Sequence, residues 1–256
     1  ERMWNHLNDV SQICAGVGLA PGTMMFATLK ERVQRVCAQL TGHRFMFDAV
    51  TLTSAPADPG DAAREAMRAE LAAVAADAAT AARGLLFDTS LRDRTAGPGR
   101  IDADAVRELG VVGPAARAAG VAADTRTDAP RLWYPGFAAV VPPTPSGDVA
   151  ARLETRWVEL EQTAGIVGEL LSAPLAPDAA ADAGTATGHG VGIAESPRGR
   201  TVCTVEIDGG TVRRVHLRTG SYANWPAVAT AATRAILPDF PLVNKSFELC
   251  YACVDR

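Results

Sequence analysis

The chain has 256 residues, 48% hydrophobic and 21% charged, with 25 Lys plus Arg against 29 Asp plus Glu. That balance suits a globular protein with a sizeable core and excludes a disordered chain, and a formal charge of −4 argues against a non-specific nucleic-acid binder. No run approaches the ~20 apolar residues of a membrane-spanning helix, so any membrane association would come through partner subunits.

The residues before Val50 read as two helices. Ala20-Pro21-Gly22 separates them, Thr23 is a candidate cap for the second, and Met25, Leu29, Val33, Val36 and Leu40 recur every three or four residues. Gly42 is placed to end it. Ser54–Gly60 reads as a linker, and Asp61 as the cap of an alanine-rich helix running to about Leu86. A short helix is expected from Asp102 or Asp104 to Gly110, followed by an irregular stretch to Pro130. Asp148 is expected to cap the longest helix, whose stripe is Val149, Leu153, Trp157, Leu160, Ala164, Val167 and Leu171; Arg152, Glu154, Glu159, Glu161 and Glu169 fall largely on other faces. Residues 172–188 are low-complexity and read as a flexible loop, and Gly188–Gly192 as a flexible turn without the register of a phosphate loop.

The period then changes. Thr201–Ile207 and Thr211–Arg218 alternate around Asp208-Gly209-Gly210, predicting a β-hairpin. Trp225–Ile236 reads as a last helix with Pro226 at its first position, stopped by Leu237–Pro241. The expected fold is therefore α+β but predominantly α: a helical bundle with a small antiparallel hairpin or sheet near the C-terminal third, in one domain over residues 1–256. An opening Glu1-Arg2 without initiator Met reads as a piece of a longer protein.

Five cysteines form no disulfide framework. Cys14, Cys37 and Cys203 lie singly in apolar segments and read as buried thiols. Cys250 and Cys253 form a Cys-x-x-Cys, which suits a redox pair, part of a metal site, or neither. His6, His43, His189 and His216 do not cluster and are expected to be structural or exposed.

Several segments then align in one order. Glu1-Arg2-Met3-Trp4-Asn5-His6 with Asp9 is followed by Thr41-Gly42-His43-Arg44. Leu109-Gly110-Val111-Val112-Gly113-Pro114, with Ala116-Arg117-Ala118, leads to Asp124 and Arg126. Gly147-Asp148-Val149-Ala150-Ala151-Arg152 opens the long helix. Glu195-Ser196-Pro197-Arg198-Gly199 precedes the hairpin, and Ser221-Tyr222, Asn224-Trp225-Pro226 follow it. Asp239-Phe240-Pro241-Leu242 leads to Cys250-Tyr251-Ala252-Cys253-Val254-Asp255-Arg256. Together these resemble the large subunit of membrane-bound, energy-converting nickel–iron hydrogenases, including that of formate hydrogenlyase, which is itself similar to the quinone-site subunit of respiratory complex I.

The resemblance implies a catalytic oxidoreductase subunit interconverting hydrogen with protons and electrons. It implies that Cys250 and Cys253 are ligands of a nickel–iron centre whose other Cys pair lies upstream of Glu1. It further implies that Arg198 reaches over the metals, that Ser221, with Arg198, binds a diatomic ligand of the iron, and that Glu248 is a catalytic carboxylate. A small iron–sulfur subunit would take the electrons, and membrane-arm subunits would hold the protein peripherally on the cytoplasmic face. The isolated fragment is expected to be inactive. One departure is Glu248-Leu249 before Cys250, where such hydrogenases usually have Asp-Pro; Lys245 also brings a cation close. Two alternatives stand beside this reading: a complex I-like subunit forming part of a quinone site, and a non-catalytic scaffold.

Overall fold

Apolar residues spaced three and four apart produce a helical pair at the start of the chain, α1 (Arg2–Gly16) and α2 (Ala20–Thr41). These elements come from a computed structural model that describes residues 1–51, 58–130, 134, 136–173 and 186–254. Residues 54–57 of the expected linker and 174–185 of the expected loop lie outside the described residues. Thr23 does not cap α2: Pro21 already lies in its first turn, and the Thr23 hydroxyl donates to the Leu19 carbonyl at 3.0 Å. Gly42 ends α2 in the left-handed conformation, as expected.

Five helices follow: α3 (Asp61–Leu86), α4 (Thr89–Thr95), α5 (Ala103–Leu109), α6 (Pro114–Ala118) and α7 (Thr125–Asp128). Gly60, not Asp61, is the N-cap of α3. The sequence pattern did not predict α4, which Asp88 caps by accepting the Leu91 N–H at 2.8 Å. Asp102 caps α5 in the same way.

α8 (Val149–Ser172) has 24 residues and α3 has 26, so the helix after Asp148 is not the longest. Asp148 does cap it, and does more. Its carboxylate accepts from the N–H of Ala151 at 2.9 Å, the N–H of Gly97 at 2.8 Å and the Ser146 hydroxyl at 2.8 Å. Asp148→Ala is expected to cost about 1–2 kcal/mol, the typical loss of a helix cap, read as a lower urea midpoint at unchanged slope.

The sheet has three antiparallel strands in the order β1 (Gly188–Ser196), β2 (Gly199–Asp208), β3 (Thr211–Arg218). The β2–β3 hairpin matches the alternation in the sequence. β1 does not, and Gly188–Gly192 is strand rather than flexible turn. Alternating glycines hide the usual apolar pattern there, and pairing with β2 supplies the order, with Gly190 opposite Val205 and Gly192 opposite Cys203.

Two α-helices follow, α9 (Gly220–Ala232) and α10 (Phe240–Phe247), and a 3-10 turn at Tyr251–Val254 comes last among the described residues. α9 starts at Thr219, whose hydroxyl accepts the Tyr222 N–H at 3.1 Å, so Pro226 lies inside the helix and not at its first position. Leu237–Asp239 forms a single 3-10 turn that runs on into α10. Leu7, Ile13, Phe26, Val74, Val149, Leu160, Ala227 and Leu242 are buried in one contiguous core shared by α1, α2, α3, α8, α9 and α10.

Candidate functional site

The site is built around a carboxylate with no exposure. Asp9, on α1, accepts from Arg198 Nη1 at 2.9 Å, Arg198 Nη2 at 2.8 Å and Arg156 Nε at 2.7 Å. The Arg198 contact is a two-pronged fork, the strongest geometry for this pair. Burial opposes the charge on Asp9, but the two guanidiniums outweigh it and hold its carboxyl below the usual range.

Arg198 occupies the two-residue turn between β1 and β2, where Ser196 pairs with Gly199. The turn is wedged into the body of the protein. A Cβ on Gly113 would lie 2.4 Å from the Arg198 carbonyl oxygen, and Gly113 has φ +69°, so only glycine fits there. Asn224 of α9 ties both walls together, donating to the carbonyls of Val112 at 3.0 Å and Arg198 at 3.1 Å.

The third Arg198 nitrogen, Nε, donates to the backbone carbonyl of Glu248. Glu248 ends α10 with φ +49°, in the left-handed region, and the next residue, Leu249, is buried. A left-handed residue and a buried anchor thus set the backbone leading into the cysteines. α9 then grips Cys250 from both sides of its peptide. The Cys250 N–H donates to Ser221 Oγ at 3.1 Å, and Trp225 Nε1 donates to the Cys250 carbonyl at 3.3 Å. Cys250 is exposed and Cys253, in the turn Tyr251–Val254, is buried.

Two hydrogen bonds, Arg198 to the Glu248 carbonyl and the Cys250 N–H to Ser221, joined by the short backbone from Glu248 to Cys250, therefore bring these four residues together although Arg198 and Cys250 are far apart in sequence. The Glu248 side chain accepts from Asn8 Nδ2 at 3.4 Å, and Lys30 donates to Asn8 at 3.2 Å. Burial, and then repulsion from Asp9, pushes the Glu248 carboxyl above its usual range. Lys245, expected near the site, donates to Gln12 at 3.3 Å.

Behind Arg198 runs a buried charged network that the sequence pattern did not assign. α1 and α8 pack antiparallel through a ladder of polar rungs. Arg2 Nε donates to Thr163 Oγ1 at 2.7 Å, His6 Nε2 meets Glu159 Oε2 at 2.6 Å, and Asp9 meets Arg156. Glu159 continues to Arg117 of α6, whose Nη1 reaches Asp124 at 3.1 Å and Glu195 at 3.2 Å. Burial opposes the charge on Glu159, but Arg117 and then His6 overcome it, so the carboxyl lies far below its usual range. Arg152, with no exposure, donates to Ser246 and to the carbonyls of Gly99 and Gly147, and burial lowers its pKa to about 9. The expectation that Arg152 and Glu159 occupy a non-core face is therefore corrected: both are buried in this network. His6, expected to be structural or exposed, is fully buried.

Among the described residues no group of three or more His, Cys, Asp or Glu side chains is arranged to hold a metal ion. Cys250 and Cys253 offer two soft thiolate donors, a pair that suits nickel or iron. A nickel–iron centre thus fits these residues only as half of a cage, with its other donors supplied by further polypeptide.

The model of the family described as respiratory-chain NADH dehydrogenase, 49 Kd subunit, matches residues 16–181 and 179–256. The chain belongs to this family. Members it resembles fall on both the hydrogenase and the complex I side. The chain is 27% identical to formate hydrogenlyase subunit 5 of Escherichia coli (strain K12), over 100% of its own length and 46% of that protein. It is 31% identical to the carbon monoxide-induced hydrogenase of Rhodospirillum rubrum, over 65% of the chain and 47% of that protein. It is 32% identical to an NADH-quinone oxidoreductase subunit of Opitutus terrae, over 65% of the chain and 43% of that protein. The chain thus spans about half the length of the curated relatives it matches. A solved structure, that of the membrane-bound sulfane sulfur reductase, an archaeal respiratory membrane complex, superposes with a TM-score of 0.87 at 27% identity, covering 98% of this chain and 71% of that one. This 49 Kd-type chain has no described helix long and apolar enough to cross a membrane.

Proposed function

We propose that this chain is part of the large subunit of a membrane-associated nickel–iron hydrogenase complex of formate hydrogenlyase type, interconverting hydrogen with protons and electrons. The observation that supports this reading is the convergence of four groups: the Cys250 peptide on Ser221, and Glu248 on Arg198. Cys250 and Cys253 would hold one side of the metal centre, with further thiolates from elsewhere in the protein. When bound, that centre supplies the Lewis acid and redox chemistry. Arg198 keeps two N–H groups beyond its bonds to Asp9 and Glu248, available to an anion at the Cys250 end. The Ser221 hydroxyl proton is likewise free to point there while its oxygen accepts from Cys250. Glu248, with its carboxyl raised above the usual range by burial and by repulsion from Asp9, is suited to exchange a proton. A small iron–sulfur subunit would take the electrons, and membrane-arm subunits would hold the protein peripherally, on the cytoplasmic face.

Elemental analysis of the intact complex is expected to find nickel and iron, and Cys253→Ser to lose both together with hydrogen turnover. Absence of both metals from active complex overturns the reading. A second reading, a complex I-like quinone-site subunit, is favoured by the likeness to the NADH-quinone oxidoreductase of Opitutus terrae and by the altered Glu248-Leu249 approach. Quinone-dependent electron transfer by metal-free complex would select it.

A further inference from the structure

The ladder between α1 and α8 contains one rung with an unused valence. Glu159 is held anionic by Arg117, so the hydrogen bond of 2.6 Å from His6 Nε2 to its Oε2 places a proton on Nε2. In a neutral imidazole Nδ1 is then a bare acceptor. His6 has no exposure, and Nδ1 has no hydrogen-bond partner among the described residues. Facing it at 4.0 Å is Asp9 Oδ2, another acceptor. Two buried acceptors turned toward each other call for a proton between them. What stands in its place is positive charge on the far side of Asp9: Arg156 at 2.7 Å and the fork of Arg198.

We propose that His6 is a proton-binding site governed by Arg198. When the Arg198 guanidinium is drawn from Asp9 toward an anion at the Cys250 end, one proton from solvent binds His6 Nδ1 and stays there, the new N–H turned toward the Asp9 carboxylate. The exchange is a protonation alone: no covalent bond other than N–H forms, and no electron moves. It goes beyond the hydrogenase reading, since it requires only an anion able to compete with Asp9 for Arg198.

The surrounding charges give the sign. His6 is faced by Asp9 from its own helix and by Glu159 and Arg156 from α8. Arg117 of α6 stands behind Glu159, Arg198 of the β1–β2 turn stands behind Asp9, and Glu248 lies on the far side of Arg198. Arg2 is one turn away on α1. The network is completed by Asp124, Glu195 and Arg126. The guanidiniums paired directly with the two carboxylates that face His6, Arg117 on Glu159 and Arg156 and Arg198 on Asp9, outnumber those carboxylates by one. With Arg198 in place a further positive charge on His6 is opposed, and burial already pushes its pKa down to about 4. With Arg198 withdrawn the surplus is gone, and the carboxylates on either side favour imidazolium. Arg198 is also the least buried member of the Asp9 cluster, at 15% side-chain exposure against none for Asp9, and it alone of the cluster sits on a turn, so it is the group able to move.

The test is a titration of intact protein labelled with nitrogen-15 histidine, read by long-range nitrogen–proton NMR, with the His6 signals assigned by their loss in His6→Gln. Wild type is expected to show neutral His6 with Nε2–H at pH 7. In Arg198→Gln the midpoint of His6 is expected to rise by about 1 pH unit or more, and in Arg198→Lys, which keeps the charge, to stay near that of wild type. If Arg198→Gln does not fold, Arg198→Met carries the same comparison. A wild-type Nδ1–H tautomer overturns the proposal, as does an unchanged midpoint in a folded neutral variant. A merely structural His6 gives that unchanged midpoint.

Discussion

Asp9→Ala is expected to remove about 3–5 kcal/mol of folding stability, the usual penalty for breaking one side of a buried ion pair. The loss of attraction is the smaller part. Arg156 has 2% side-chain exposure and Arg198 15%, and both direct nitrogens at Asp9, so alanine leaves two cations without their carboxylate. Asp9→Asn keeps the shape and one acceptor, and is expected to cost less while still freeing Arg198 from its two-pronged hold. Because the Asp9 rung belongs to the same network as Glu159, a double change of Asp9 and Arg156 to uncharged residues is expected to cost less than the sum of the single changes. Urea unfolding of the four proteins checks this, and a strictly additive cycle would show that the buried pair is not coupled.

Stability is expected to fall by about 3 kcal/mol as the pH drops from about 6.5 to about 4, through His6 alone. The sign follows from proton uptake. An unfolded histidine binds a proton below about pH 6.5. The folded protein refuses that proton until about pH 4, because burial outweighs the pull of Glu159 and Asp9. Between those values the unfolded chain holds more protons, so acid favours it. Asp9 and Glu159, whose folded pKa values are depressed, contribute stability that is complete above their ordinary range and lost as pH falls further. Chemical denaturation of wild type and His6→Gln as a function of pH checks this. The slope between pH 6.5 and 4 is expected to be shallower in His6→Gln, and an identical slope would remove His6 from the account.

The parts of the fold that were legible were those whose side chains repeat. Leu29, Val33 and Val36 of the expected stripe report the buried face of α2, although Met25 at its start is exposed and Phe26 is buried instead, and the alternation of Thr201–Ile207 reports the more covered face of β2. β1 was missed because glycines carry no such report, and α4 because seven residues hold too few repeats. Thr23 and Pro226 were misplaced for a common reason: a residue suited to a helix start is tolerated elsewhere when tertiary packing sets the boundary. At the site, the two cysteines, Arg198 and Ser221 were legible through the order of their motifs. Their meeting was not, since it depends on the close approach that Gly113 allows and on the bonds of Asn224.

The charged network was the largest omission, yet it does leave a trace. Arg2, His6 and Asp9 recur at spacings of four and three, and Arg152, Arg156, Glu159 and Thr163 at four, three and four. That is the same period as the apolar stripes, which marks a helix face turned inward. Reading charge as a sign of solvent exposure conceals it. A polar stripe with core periodicity, on two helices of one domain, is the signal to look for.

The ladder also acts as a vernier between α1 and α8. Arg2 opposite Thr163, His6 opposite Glu159 and Asp9 opposite Arg156 advance in step, so sliding one helix by a turn would set His6 against Arg156 or leave Asp9 facing Glu159. Apolar seams tolerate such slippage far better than charges do. Substitutions along this seam should therefore survive in matched pairs across the two helices, and a lone change on either side should be rare among functional descendants of this chain.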